Sequence, residues 1–199
     1  MSSDQKKATN LSIRAAVDCF TEILGNNGAR IVFRKAGLED IYDNPPPYDL
    51  NPNISVDSQT KLYINVAELF GLKGALGIWR RVGYTAVKYG NDYGHAFDGY
   101  KNLPPVEKYN KGSEFLSLVI GKGKTVMNGT GWVDFDCFDC TVCSPYHSSG
   151  TKTPVCLLYT GALQYIADWA YGKNAAQVIE TKCKATGGDT CYYELVMKG

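Results

Sequence analysis

Two adjoining stretches decide what fold this chain makes: PVCLLYTGALQYIADWAYG (residues 154–172) and AAQVIETKCKATGGDTCYYELVM (residues 175–197). In the first, Leu158, Ala162, Tyr165, Ile166 and Trp169 recur at helical spacing, and Gly172 is placed to end the helix. The second reads as two strands, AAQVIET and CYYELVM, joined through Gly187-Gly188-Asp189. A helix feeding an antiparallel hairpin is a unit of an α+β fold.

That hairpin carries Glu180, Cys183 and Cys191, and three readings are open: a metal site, a disulfide, or a turn that holds two thiols. Zinc takes four ligands in a tetrahedron, from thiolate, imidazole or carboxylate. Residues three apart on a regular strand face opposite ways, so one ion touching Glu180 and Cys183 requires the strand to end by about Thr181. Cys156, at the start of the preceding helix, is the natural fourth ligand.

Outward from this unit, KTVMNGTGWVDFDC (124–137) predicts two short strands around an Asn128-Gly129 turn. Upstream the texture is helical, over 11–24, then 25–37 ending at Gly37, 61–70, 72–89 and 105–120, the last interrupted near Gly112. DNPPPYDLNPN (43–53) is a proline-broken loop. Helices on one face of an antiparallel sheet, in a single domain over 1–199, are expected; 1–120 is the mainly helical part and 121–199 holds both hairpins. LGNNGARIVFRKAG (24–37) and FGLKGALGIWRRVG (70–83) share Gly, Gly-Ala, an aromatic, Arg and Gly in register. They read as two helix-start turns solved alike, with an old duplication as the alternative.

The 199 residues are 44% hydrophobic, with 21 Lys and Arg against 20 Asp and Glu. The balance leaves no basic footprint for nucleic acid and no polybasic run for anionic membranes. The opening MSSDQKKATN lacks an apolar leader, and no apolar run approaches the ~20 residues of a membrane span. A cytoplasmic protein is expected. Seven cysteines, an odd number, point to reduced thiols rather than a disulfide scaffold. Cys19 lies on an apolar helix face and reads as core.

PVC opening a helix, then E-x-x-C-x-A-x-G-x-x-x-C and a terminal strand, together resemble the 4-vinyl reductase domain over about residues 154–197. That domain occurs in a bacteriochlorophyll-biosynthesis protein, in archaeal hydrocarbon-binding proteins and in phenol- and xylene-responsive activators. The resemblance implies the fold of TRAPP trafficking subunits and haem nitric-oxide sensors: helices on a four- to five-stranded antiparallel sheet around a ligand cavity. It also implies a zinc ion on Cys156, Glu180, Cys183 and Cys191, and a homodimer. A closed four-ligand site is structural, since catalytic zinc keeps a position for water. Lys182 and Lys184 are placed to offset its negative charge.

A second cluster, DCFDCTVCSP, spaces Cys137, Cys140 and Cys143 as C-x2-C-x2-C. The spacing resembles part of an iron–sulfur set, and such thiols also bind zinc or exchange disulfides. A cubane would need Cys156 as its fourth ligand, in competition with the zinc site. Zinc is favoured there, which leaves the triplet as reduced, redox-active or ligand-facing thiols.

GKGKT (121–125) lacks the first glycine of a phosphate-binding loop, and no G-x-G-x-x-G follows a strand. His95 and His147 fall in polar loops and read as exposed. Trp79, Trp132, Tyr165 and Trp169 are expected around the cavity, where an apolar lining suits a planar hydrophobic ligand. The functional expectation is a sensor or carrier of a small hydrophobic or aromatic molecule with a structural zinc, signalling through a protein partner. The alternative is an enzyme or accessory protein of tetrapyrrole metabolism using Cys137, Cys140 and Cys143 as a metal or redox centre.

Overall fold

The computed structural model describes residues 7–120, 123–138, 140, 142–146 and 151–198. Its helical part is built from one motif used twice. Strand β1 (Lys7–Thr9) leads into helix α1 (Asn10–Lys35), and strand β2 (Pro52–Ser55) into helix α3 (Val56–Asp92). The short α2 (Glu39–Asp43) lies between them. The strands pair antiparallel, with Lys7 opposite Ser55. Each helix starts on a hydroxyl cap: Thr9 accepts from the Ser12 N–H, and Ser55 from the Ser58 N–H. Each then breaks at one glycine, Gly25 (φ 70°, ψ 168°) or Gly71 (φ 69°, ψ 159°). That backbone region is essentially closed to residues with a Cβ.

The repeat quoted above is therefore part of a longer one: strand, cap, helix, glycine break, helix. Equivalent positions are buried alike, Ala29 with Ala75 and Phe33 with Trp79, all fully inaccessible. Sequence reading placed helices on both sides of each break. It missed β1, β2 and α2, because strands of three and four residues beside prolines look like loop.

Helix α4 (Pro105–Ile120) runs through Gly112 without the expected interruption. Strands β3 (Gly123–Met127) and β4 (Val133–Cys137) form the first hairpin. Its connection spans residues 128–132, longer than a two-residue turn, with Gly129 and Gly131 at positive φ. Helix α5 (Leu157–Tyr171) ends at Gly172, and β5 (Ala176–Lys182) pairs with β6 (Cys191–Met197). The main sheet has the antiparallel order β3-β4-β6-β5.

Helices α4 and α5 cover one face of this sheet, α3 packs on α5, and α1 on α3. The α+β expectation, helices on one side of a four-stranded antiparallel sheet, holds. Where α3 and α5 cross, backbone meets backbone. A Cβ on Gly83 would lie 1.8 Å from the Leu158 carbonyl oxygen, and one on Gly161 would lie 1.9 Å from that of Arg80. Only glycine permits this approach, which sets the distance between the helices that border the cavity described next.

Candidate functional site: an apolar cavity beside a buried thiol cluster

A cavity of about 260 Å³ opens between α1, α3, α4 and α5. Exposed Lys7 and Leu50 lie at its outer end, and Leu11, Val82 and Leu116 are among its buried walls. Gly83, Ala86, Gly90 and Ala162 line it, and the void exists because these side chains are small. One corner is polar. The Gln59 amide donates to the Ser12 hydroxyl (3.3 Å) and to the Tyr63 phenol oxygen (3.4 Å). Burial pushes the Tyr63 pKa far up, so its hydroxyl keeps its proton and can donate.

Trp79, Trp132, Tyr165 and Trp169, expected around a cavity, do not line this one. Large rings fill space instead of leaving it. Trp79 is fully buried, edge-on to Tyr63 and tilted against Tyr146. Trp132 stands edge-on to Tyr171. Tyr165 accepts a hydrogen bond from the Asn91 amide and meets the Tyr84 ring edge-on. Trp169 stacks obliquely on Phe97 under the Lys108 ammonium. His95 is exposed and pairs with Asp98, and His147 lies outside the described residues.

The second feature is a knot of thiols at the N-terminus of α5. Cys156, Glu180, Cys183 and Cys191 come together as expected: one ligand atom from each lies within 4.8 Å of all the others. The strand does not end at Thr181 to achieve this. It continues to Lys182 with a bulge, where Glu180 faces Tyr193 and Lys182 faces Tyr192. The extra residue reverses the alternation, so Glu180 and Cys183 both point inward. Thr186 and Gly188 then donate to the Cys183 carbonyl and close the turn.

Two members of the C-x2-C-x2-C run join the same knot. The Cys140 sulfur lies 2.7 Å from that of Cys156, and the Cys143 sulfur 3.4 Å from that of Cys191. Cys140, Cys143, Cys156 and Cys191 form a second set with all ligand atoms within 4.8 Å. The turn closed by the Tyr146 N–H on the Cys143 carbonyl helps place these thiols. The Lys184 ammonium, bonded to the Phe138 carbonyl, holds the loop onto the last hairpin. Cys137 sits on β4 directly opposite Cys191, in neither set. The triplet does not act as three equivalent thiols.

Electrostatics mark the knot as built for positive charge. Glu180 is 8% exposed; one carboxylate oxygen accepts from the Cys156 N–H and the other, Oε1, has no hydrogen-bond partner. An orphaned buried carboxylate oxygen is costly unless a cation or proton meets it. Burial and the neighbouring Cys183 push its pKa up to about 10. Burial also drives Cys140 and Cys156 well above the ordinary thiol range. Hydrogen bonds from Cys140 and Cys156 draw Cys143 down, and one from Cys140 chiefly draws down Cys191. A buried cluster thus divides too few protons among crowded acids, the situation a thiophilic divalent cation resolves.

Neither flanking lysine supplies that charge. Lys182 reaches over the Tyr192 ring and Lys184 bonds the Phe138 carbonyl, while the Lys184 backbone N–H donates to the Cys191 sulfur.

Residues 133–197 match the family model of the 4-vinyl reductase domain. No curated protein matches the chain. Among solved structures 11 chains match. One of them, a doubly substituted variant of Tt H-NOX, is 14% identical, with a TM-score of 0.55, over 96% of this chain and 95% of its own. The likeness is one of fold. Among the described residues, no helix is long and apolar enough to cross a membrane.

Proposed function

We propose that this chain, whose residues 133–197 match the 4-vinyl reductase domain, is a sensor or carrier that takes one small hydrophobic or aromatic molecule into the helical cavity. The observation that carries the reading is the cavity itself: about 260 Å³, walled by aliphatic and small residues, with one polar corner at Ser12, Gln59 and Tyr63. An apolar cavity of about 150 Å³ holds benzene. The larger volume suits one or two rings or a short alkyl chain, with a hydroxyl or carbonyl at the polar corner. A tetrapyrrole needs more room.

In the same reading the thiol knot holds a structural zinc on Cys156, Glu180, Cys183 and Cys191. The donor set fits, because the orphaned Glu180 Oε1 and three converging sulfurs supply four ligands. Bound there, the ion acts as a cross-link, joining the start of α5, whose residues Leu158, Tyr159 and Ala162 line the cavity, to the last hairpin. The whole chain works as one domain, and its signal passes to a protein partner.

The test is extraction. The full chain, purified without air, is denatured in organic solvent and both phases are assayed for small molecules and metals. An apolar molecule near one per chain, together with zinc, is the expected result. A chain carrying no organic molecule and taking up no apolar probe overturns the reading.

A further inference from the structure

Cys140 and Cys143 lie outside the zinc clamp, yet their sulfurs touch two of its ligands. We propose that the knot is a binuclear cation site. Cys140, Cys143, Cys156 and Cys191 hold one ion, and Cys156, Glu180, Cys183 and Cys191 hold the other. The sulfurs of Cys156 and Cys191 are shared between them. The proposal rests on the clamp reading above and extends it.

The geometry is that of two tetrahedra sharing an edge. Two four-ligand sets have two atoms in common, and each set lies within 4.8 Å. The shared sulfurs are 3.6 Å apart. A tetrahedral zinc with Zn–S of about 2.3 Å has sulfur–sulfur edges of about 3.8 Å. On the second ion's side, Cys143 stands 3.4 Å from Cys191. All six residues are buried, so no water completes either shell.

Charge favours the pair over the single ion. The second cation brings two positive charges and converts two more thiols to thiolates, so the cluster's net charge is unchanged. With one ion only, Cys140 and Cys143 remain buried and crowded against thiolates, with no cation to bind them. The donor chemistry, five sulfurs and one carboxylate, selects a thiophilic divalent cation of the zinc type. A cubane spreads its four thiolates around a body of irons and sulfides, further apart than these sulfurs stand.

The second ion would fasten the loop that ends at Tyr146. That ring packs on Trp79, which packs edge-on to the cavity-lining Tyr63. Metal loading and cavity shape thus share a contiguous set of side chains.

The full chain is prepared without air, exchanged into Co(II), and examined for metal per chain, absorption and electron paramagnetic resonance. Expected are two cobalt ions per chain, sulfur-to-cobalt charge transfer, and magnetic coupling between the ions through the shared thiolates. The coupling is read on the unsubstituted protein, so it does not depend on any variant folding. The Cys140→Ser/Cys143→Ser double variant should hold one uncoupled ion, while Cys137→Ser keeps two. A single ion that survives the double variant but is lost in Cys183→Ser overturns the pair and leaves the clamp standing. No ion at all overturns both. Iron with sulfide, or a Cys140–Cys156 disulfide in the unreduced protein, also overturns the proposal.

Discussion

Gly83→Ala and Gly77→Ala place the same methyl group on the same helix, with opposite expected effects. A Cβ on Gly83 would stand 1.8 Å from the Leu158 carbonyl oxygen, 2.7 Å from its carbon and 3.2 Å from the Ala162 nitrogen. All three are backbone atoms of α5, so no rotamer change relieves the clash. The helices must part by more than about 1 Å to reach ordinary contact. Overpacking of this kind costs about 1–3 kcal/mol, and unyielding backbone puts Gly83 at the upper end. Alanine regains about 1 kcal/mol in helix propensity, leaving a net loss of roughly 2 kcal/mol. At Gly77 a Cβ would meet nothing within 4 Å, so only the propensity gain remains. In a chain of this size 1 kcal/mol moves Tm by about 2–4 °C. Gly77→Ala should therefore melt about 2–4 °C higher than the parent and Gly83→Ala about 4–8 °C lower, followed by far-ultraviolet circular dichroism. A Gly83→Ala chain that melts at or above Gly77→Ala refutes the backbone crossing and, with it, the placement of the cavity wall.

Gly25→Ala and Gly71→Ala should each cost about 1–3 kcal/mol, because both sites need a backbone region closed to alanine. Thermal melts of the two variants should fall together, and one that melts like the parent breaks the equivalence of the repeats. Glu180→Gln keeps an acceptor for the Cys156 N–H but removes the charge facing a cation, so zinc affinity should drop by roughly tenfold or more. Competition with a chromophoric chelator measures this, and unchanged affinity removes Glu180 from the ligand set. Burial and then the Asp168 carboxylate push the Tyr84 phenol up to about 12. From about pH 10, where a free phenol ionises, to about 12 the folded chain keeps a proton that the unfolded chain releases. Stability from this group is therefore complete below about pH 10 and is lost as pH rises toward 12. In Tyr84→Phe the fall in Tm above about pH 10 should be shallower than in the parent, and equal slopes contradict the assignment.

The metal knot was legible because its residue types are sparse and chemically specific. Glu180, Cys183, Cys191 and Cys156 could be gathered by asking what one tetrahedral ion needs. The means of gathering was not legible. A bulge at Thr181 depends on the register against Tyr192 and Tyr193, which residue spacing does not carry. Nor did the C-x2-C-x2-C run show its division. That depends on the loop folding back over the last hairpin, through a Lys184 contact to a carbonyl. The α5 helix and the four main strands were plain from periodicity, and Gly25 and Gly71 were visible as a repeat. Their shared φ above zero had no signature beyond glycine itself. The cavity was sought among the large aromatics, whereas it lies where Gly83, Ala86, Gly90 and Ala162 leave space. A void is a property of what surrounds small residues, and no single residue announces it.

The central claim is a cavity that receives an apolar molecule, and the most direct measurement is a titration of ligand-stripped protein with a neutral apolar fluorophore. The parent chain should bind one equivalent. Ala162→Phe, which fills the cavity from α5, should abolish binding while the cooperative melt is kept. Equal binding by the parent and by a folded Ala162→Phe chain, or none by the parent, would contradict the account.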